Sequence, residues 1–207
     1  MAEPSLIVAG ATRPFPGESS NGDAWHVDWH EGRCRVAIID GLGHGQPAAD
    51  AANLAMRALA ARPELDPEAS LRVCHGALTS TRGAAISIAL IDPLANNLTY
   101  TGVGNAEARL LVDGRTERLI AYRGIVGAVL PRLRSFAYTL ASEWMLIMYT
   151  DGIRSRFELD GLSDMQRRNA QTMADAILEG WARATDDATV VVVAHAQAGG
   201  SLDTATS

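Results

Sequence analysis

Three strongly apolar runs in this chain each abut a carboxylate, and that pattern restricts both its fold and its chemistry. Val36-Ala37-Ile38-Ile39 ends at Asp40, and Met145-Leu146-Ile147-Met148-Tyr149-Thr150 ends at Asp151. Asp186-Asp187 stand directly before Ala188-Thr189-Val190-Val191-Val192-Val193. Short β-branched runs bounded by Asp and Gly read as strands, and an uninterrupted one such as Val190–Val193 as a strand buried on both faces.

Further strand signals surround them: Leu6–Ala11, Ala24–Trp29, Arg35–Ile39, Ala84–Ile91, Leu98–Val103, Ala108–Val112, Thr116–Ile120 and Arg134–Leu140. His30-Glu31-Gly32 and Asp113-Gly114 are hairpin turns, and short turns between successive strands imply antiparallel pairing. Two helices interrupt the series. The first opens near Pro47, with Ala51, Leu54, Ala55, Ala58 and Leu59 at helical spacing. The second is capped by Asp66-Pro67 and carries Leu71, Cys74 and Leu78 on one face. A last helix is expected from about Ser163, with Ala170, Met173, Ala174, Ile177, Leu178 and Trp181 on its apolar side. The expected class is α+β: two antiparallel sheets packed as a sandwich, with helices on the outer faces. Residues 1–196 are expected to form a single domain and residues 197–207 a disordered tail.

Composition removes several functions. All 18 basic residues among the 207 are arginine, so no P-loop or kinase-type lysine and no Schiff base is available. With 35 alanines beside them, the arginines fit a GC-rich coding bias. The net charge of −6 argues against nonspecific nucleic-acid binding. No apolar run is long enough to span a bilayer, and Met1-Ala2-Glu3-Pro4 does not open a signal peptide. Cys34 and Cys74 read as reduced core thiols. A cytoplasmic location without membrane attachment is expected.

Strand-end carboxylates on antiparallel neighbours share a rim, so Asp40, Asp151, Asp186 and Asp187 are expected to converge, with Asp23 of Asn21-Gly22-Asp23 a further member. Such a cluster is unfavourable unless cations neutralise it, and oxygen-only donors favour Mg²⁺ or Mn²⁺ over zinc. A strand-ending Asp-Gly is also ordinary turn chemistry, so the argument rests on all the sites together. Gly41-Leu42-Gly43-His44-Gly45 between a strand and a helix suggests a dinucleotide-binding turn. However, the third glycine falls one residue early, and two helices precede the next strand.

In order along the chain, several motifs resemble the metal-dependent type 2C protein phosphatases. They are Gly17-Glu18…Asn21-Gly22-Asp23, Asp40-Gly41-Leu42-Gly43-His44-Gly45, Arg82-Gly83-Ala84-Ala85, Tyr149-Thr150-Asp151-Gly152-Ile153 and Asp186-Asp187-Ala188-Thr189-Val190. The set is most similar to the SpoIIE-type branch and its small stand-alone RsbX-type members, over roughly residues 5–195. The resemblance implies a phosphoserine/phosphothreonine protein phosphatase using a water that bridges two Mn²⁺ or Mg²⁺ ions. Asp40 would bridge the ions and the Gly41 carbonyl would bind one. Asp151 and Asp186 would complete the second, with Asp23 near it through water and Asp187 ranked below. His44 is the candidate general acid and Arg13 the candidate phosphate contact. The implied partner is a phosphorylated stressosome scaffold or anti-sigma-factor antagonist, met by a monomeric enzyme. Arginines concentrate between Glu107 and Arg134, and again at Arg154, Arg156, Arg167 and Arg168, where a phosphoprotein could dock. The competing reading is a pseudophosphatase: the same fold acting as a binding module in a partner-switching complex.

Overall fold

The computed structural model describes residues 6–141, 143–159 and 169–195. In order these form β1 (Leu6–Arg13), β2 (Asp23–His30), β3 (Arg33–Gly41), α1 (Gln46–Ala60), α2 (Pro67–Ala77), β4 (Ala84–Asp92) and β5 (Asn97–Val103). Then follow β6 (Glu107–Val112), β7 (Arg115–Leu119), β8 (Ala121–Tyr122), β9 (Phe136–Thr139), β10 (Trp144–Tyr149), α3 (Ala170–Trp181) and β11 (Ala188–His195). One sheet has the order β1-β11-β10-β6-β7; the other runs β2-β3-β4-β5-β8, with β9 also on β5.

The apolar strands are continuous because both of their faces are covered. Val36 and Ile38 of β3 meet Leu146 and Met148 of β10 and Val191 and Val193 of β11 in the core between the sheets. The alternate residues Ala37 and Ile39 pack instead beneath α1 and α2, against Ala51, Ala55, Leu59, Leu71 and Cys74. On the opposite outer face, Ile147, Tyr149, Val190 and Val192 lie under Met173, Ala174 and Ile177 of α3. Period-two alternation therefore serves two cores at once, as a four-layer sandwich requires.

The local signals act as expected. Glu31 and Gly32 turn with φ of 49° and 75°, and Asp113 and Gly114 with 48° and 74°, the left-handed pair that a two-residue hairpin needs. The Asp66 side chain accepts from the Ala69 N–H at 2.7 Å and starts α2, with Pro67 in the first turn. A buried cation ties the helices to the sheet. Arg35, 1% exposed, donates to Asp28, to the Ser70 Oγ (2.8 Å) and to the Leu59 and Arg62 carbonyls (2.8 and 2.9 Å).

Two details differ from the sequence reading. The segment expected as a strand over Arg134–Leu140 is shorter, Phe136–Thr139, and pairs with β5. Ala121–Tyr122 forms a short strand parallel to β5, an exception to the antiparallel rule that two residues are too few to announce. The expected helix start at Ser163 and the tail from 197 lie outside the described residues. None of the described helices is long and apolar enough to cross a membrane.

Candidate active site

Strand register brings the carboxylates together. Asp23 begins β2 directly opposite Asp40 near the end of β3. In the other sheet β10 and β11 are antiparallel, with Tyr149 opposite Val190, so Asp151 and Asp186-Asp187 come out at one rim. A hydrogen bond closes the gap between the sheets: Thr150 Oγ1 donates to Asp23 Oδ2 at 2.6 Å. Thr150 is itself held by the Thr189 N–H at 3.0 Å. The Asn105 side-chain amide, just past β5, donates to Asp151 Oδ2.

Close backbone approach explains the glycines here. A Cβ on Gly41 would sit 2.2 Å from the Ala48 carbonyl oxygen, and one on Gly152 would sit 1.7 Å from that of Asp187. A Cβ on Gly22 would lie 2.8 Å from Asp187 Oδ2.

Charge repulsion and burial mark the cluster. Burial first, then the charges of Asp23, Asp151, Asp186 and Asp187, push the Asp40 carboxyl up to about 9. Burial likewise lifts Asp23 to about 7, against the hydrogen bond from Thr150 that favours its ionised form. Asp186 is raised by burial and by Asp151. Asp187, 3% exposed, accepts the Phe15 N–H on Oδ1 at 2.8 Å, while its buried Oδ2 has no hydrogen-bond partner. An orphaned carboxylate oxygen among mutually repelling carboxylates is the environment that a hard divalent cation would neutralise. Among the described residues, no three Asp, Glu, His or Cys side chains are yet closed around one point, so the carboxylates form a rim rather than a finished cage.

A cavity of about 630 Å³ opens over this rim, lined among others by Asp40, His44, Asn105, Arg123, Asp151 and Asp186. His44 is fixed on two sides. Its Nδ1 lies 3.1 Å from Glu18 Oε1, and its ring stacks on Phe15 at 4.8 Å between centroids. Gly45, with φ of 72°, leaves room for Glu18, whose Oε2 would stand 3.3 Å from a Cβ there. Arg13 is not among the residues lining the cavity; its guanidinium donates to the Arg183 carbonyl.

Of the candidates from sequence, Asp40, Asp151, Asp186 and His44 line the cavity, while Asp23 and Asp187 lie buried behind it. Sequence reasoning missed Asn105, Thr150 and Arg123. Asn105 had a signal, since it too is a polar residue directly after a strand and a glycine; Arg123 was hidden in the arginine-rich stretch from Glu107 to Arg134.

Comparison with known proteins identifies the family and the fold. The model of the family described as Stage II sporulation protein E (SpoIIE) matches residues 30–196. No curated protein matches the sequence significantly. Among solved structures, the chain is similar to one described under "The bacterial stressosome: a modular system that has been adapted to control secondary messenger signaling". That pair is 27% identical with a TM-score of 0.83, over 91% of this chain and 99% of that one. It is also similar to RsbX in complex with magnesium, at 19% identity and a TM-score of 0.78, over 92% and 96% of the two chains. A third is the PP2C phosphatase domain of SpoIIE from Bacillus subtilis with a fragment of its regulatory domain. It is 20% identical with a TM-score of 0.78, over 92% of this chain and 63% of that one. With the family model covering most of its length and the strand-end carboxylates gathered at one rim, the chain belongs to the SpoIIE family and has the fold of PP2C-type serine/threonine phosphatases.

Proposed function

We propose that this protein hydrolyses phosphoserine and phosphothreonine monoesters on a protein of a bacterial stress-response partner-switching pathway. The observation that carries the reading is the gathering of Asp40, Asp151 and Asp186 on the lining of one cavity, with Asp23 and Asp187 buried and the Asp23 and Asp40 carboxyls raised first by burial and then by their neighbouring carboxylates. Two Mn²⁺ or Mg²⁺ ions would be held by Asp40, the Gly41 carbonyl, Asp151 and Asp186, with Asp23 and Asp187 behind them. When bound, such ions acidify water and neutralise phosphoryl charge.

The chain's own groups supply the rest. Thr150 holds the Asp23 carboxylate and Asn105 that of Asp151, so both point at the rim. Glu18 holds Nδ1 of His44 and leaves Nε2 to carry a proton to the departing serine or threonine oxygen. The neighbours linked to the stressosome and to RsbX support a scaffold protein or an anti-sigma-factor antagonist as the phosphorylated partner.

Purified protein with Mn²⁺ should hydrolyse p-nitrophenyl phosphate and a phosphoserine peptide, and EDTA should abolish both activities. Metal-independent hydrolysis, or full activity in Asp151→Asn, would refute the reading. One rival is a catalytically weak relative of the same fold that serves as a binding module in a partner-switching complex. Calorimetry separates them: the rival predicts no Mn²⁺ binding and tight binding of an unphosphorylated partner.

A further inference from the structure

One guanidinium shares the cavity with the carboxylate rim. Among its described lining residues Arg123 is the only arginine, and it shares the cavity with Asp40, Asp151 and Asp186. The arginines that make ion pairs among the described residues are Arg33, Arg35, Arg62, Arg72 and Arg118, and Arg123 joins none of these pairs. Its side chain is exposed, but its backbone is tightly placed. Immediately before it, the Tyr122 carbonyl accepts the Gly104 N–H at 2.9 Å. Immediately after it, Val126 and Ala84 exchange two hydrogen bonds of 2.9 Å, and Ile125 and Val129 exchange two of 2.8 Å. The Gly127 N–H donates to His75 Nδ1 at 2.9 Å, which docks the loop on α2. Gly83 and Gly124 admit this packing, since a Cβ on either would stand 2.7 Å from a loop carbonyl oxygen. At the same mouth the exposed Arg82 lies over Gly43, its Nη1 2.8 Å from where a Cβ would be.

We infer that Arg123, supported by Arg82, is the side-chain clamp for the substrate's phosphoryl group. A phosphoryl dianion facing the carboxylate rim turns oxygens away from it, and those oxygens need donors. A guanidinium gives two parallel N–H bonds to such oxygens, and among the described residues the lysine-free chain places no other arginine on the cavity lining. Arg13, the candidate from sequence, has its guanidinium on the Arg183 carbonyl.

The assignment rests on the phosphatase reading, and the test separates the two. Inorganic phosphate is titrated calorimetrically into the Mn²⁺-loaded protein as wild type, Arg123→Ala, Arg123→Lys and Arg57→Ala, with Mn²⁺ affinity measured on each. Arg123→Ala should bind phosphate about ten- to a hundredfold more weakly, as expected for losing a charge-assisted contact. KM for a phosphoserine peptide should rise in step, Mn²⁺ affinity should hold, and Arg123→Lys should recover part of the loss. Arg57→Ala, an exposed position in the last turn of α1 that does not line the cavity, should match wild type. Unchanged phosphate affinity in Arg123→Ala overturns the clamp while leaving the phosphatase reading intact. A parallel loss of Mn²⁺ affinity overturns it too, by showing a structural role. A wild type that neither hydrolyses the peptide nor binds phosphate sinks both.

Discussion

Replacing Asp40 by asparagine should stabilise the metal-free protein while abolishing activity. Asp40 and Asp23 are directly opposed across an antiparallel pair, which places their side chains about 5 Å apart. At an effective dielectric constant of about 20, two charges at that distance repel by roughly 3 kcal/mol. The protein avoids this by keeping Asp40 protonated up to about pH 9, although the unfolded chain releases that proton near 3.8. For an acid with a raised folded pKa, stability is fully present below the unfolded value and declines as pH rises toward the folded one. In EDTA the wild type should therefore lose about 1.4 kcal/mol per pH unit for each proton retained on folding. Asp40 contributes up to about 9 and Asp23 up to about 7. Asparagine needs no proton, so at about pH 7.5 Asp40→Asn should escape a proton-uptake cost of roughly 5 kcal/mol (about 1.4 kcal/mol for each pH unit above 3.8), or about 10–20 °C in Tm for a chain of this size. Its pH slope should be shallower by about one proton. Differential scanning fluorimetry from about pH 5.5 to 8.5, with EDTA and then with excess Mn²⁺, tests this. Mn²⁺ should reverse the order by stabilising only the wild type. A variant no more stable than wild type in EDTA, with the same slope, would refute the electrostatic reasoning.

Other outcomes follow from single contacts. If Glu18 orients His44 as a proton donor, Glu18→Gln and His44→Gln should lower kcat on a phosphoserine peptide at least tenfold. Both should nearly spare p-nitrophenyl phosphate, whose leaving group needs no proton; equal losses on the two substrates would remove the role. Arg35→Leu strands Asp28 and several buried acceptors and should cost about 3–5 kcal/mol in a urea melt. Burial raises the Asp28 carboxyl, but the bonds from His26 and Arg35 outweigh it and hold it below its usual range. The stability it contributes is therefore present above about pH 4 and lost as pH falls further, so Asp28→Asn should flatten the acid limb of a Tm profile. Gly152→Ala should shift the Asp187 backbone and depress both Tm and Mn²⁺ affinity, because its new methyl would meet the Asp187 carbonyl at 1.7 Å.

The clamp assignment changes what the arginine-rich composition means. The absence of lysine restricts any side-chain contact on phosphate to arginine, but it does not say which arginine. The sequence offers Arg13 on its position upstream of Asp23. The fold instead brings in Arg123, from the loop after β8, which reaches the cavity because two glycines and α2 hold that loop on the end of β4.

Local patterning determined much of this protein. Hairpin turns, the Asp66 cap and the continuous apolar strands follow from nearest neighbours and period-two alternation, and each strand-end carboxylate follows from where its strand stops. Tertiary structure alone decided which distant pieces meet. Alternation sets the face a residue occupies but not the sheet its strand joins, so β9 could not be placed on β5 from its residues. The Thr150–Asp23 bond, the Arg35 anchor and the arrival of Arg123 at the cavity are contacts between segments far apart in the chain, and they depend on how the two sheets stack.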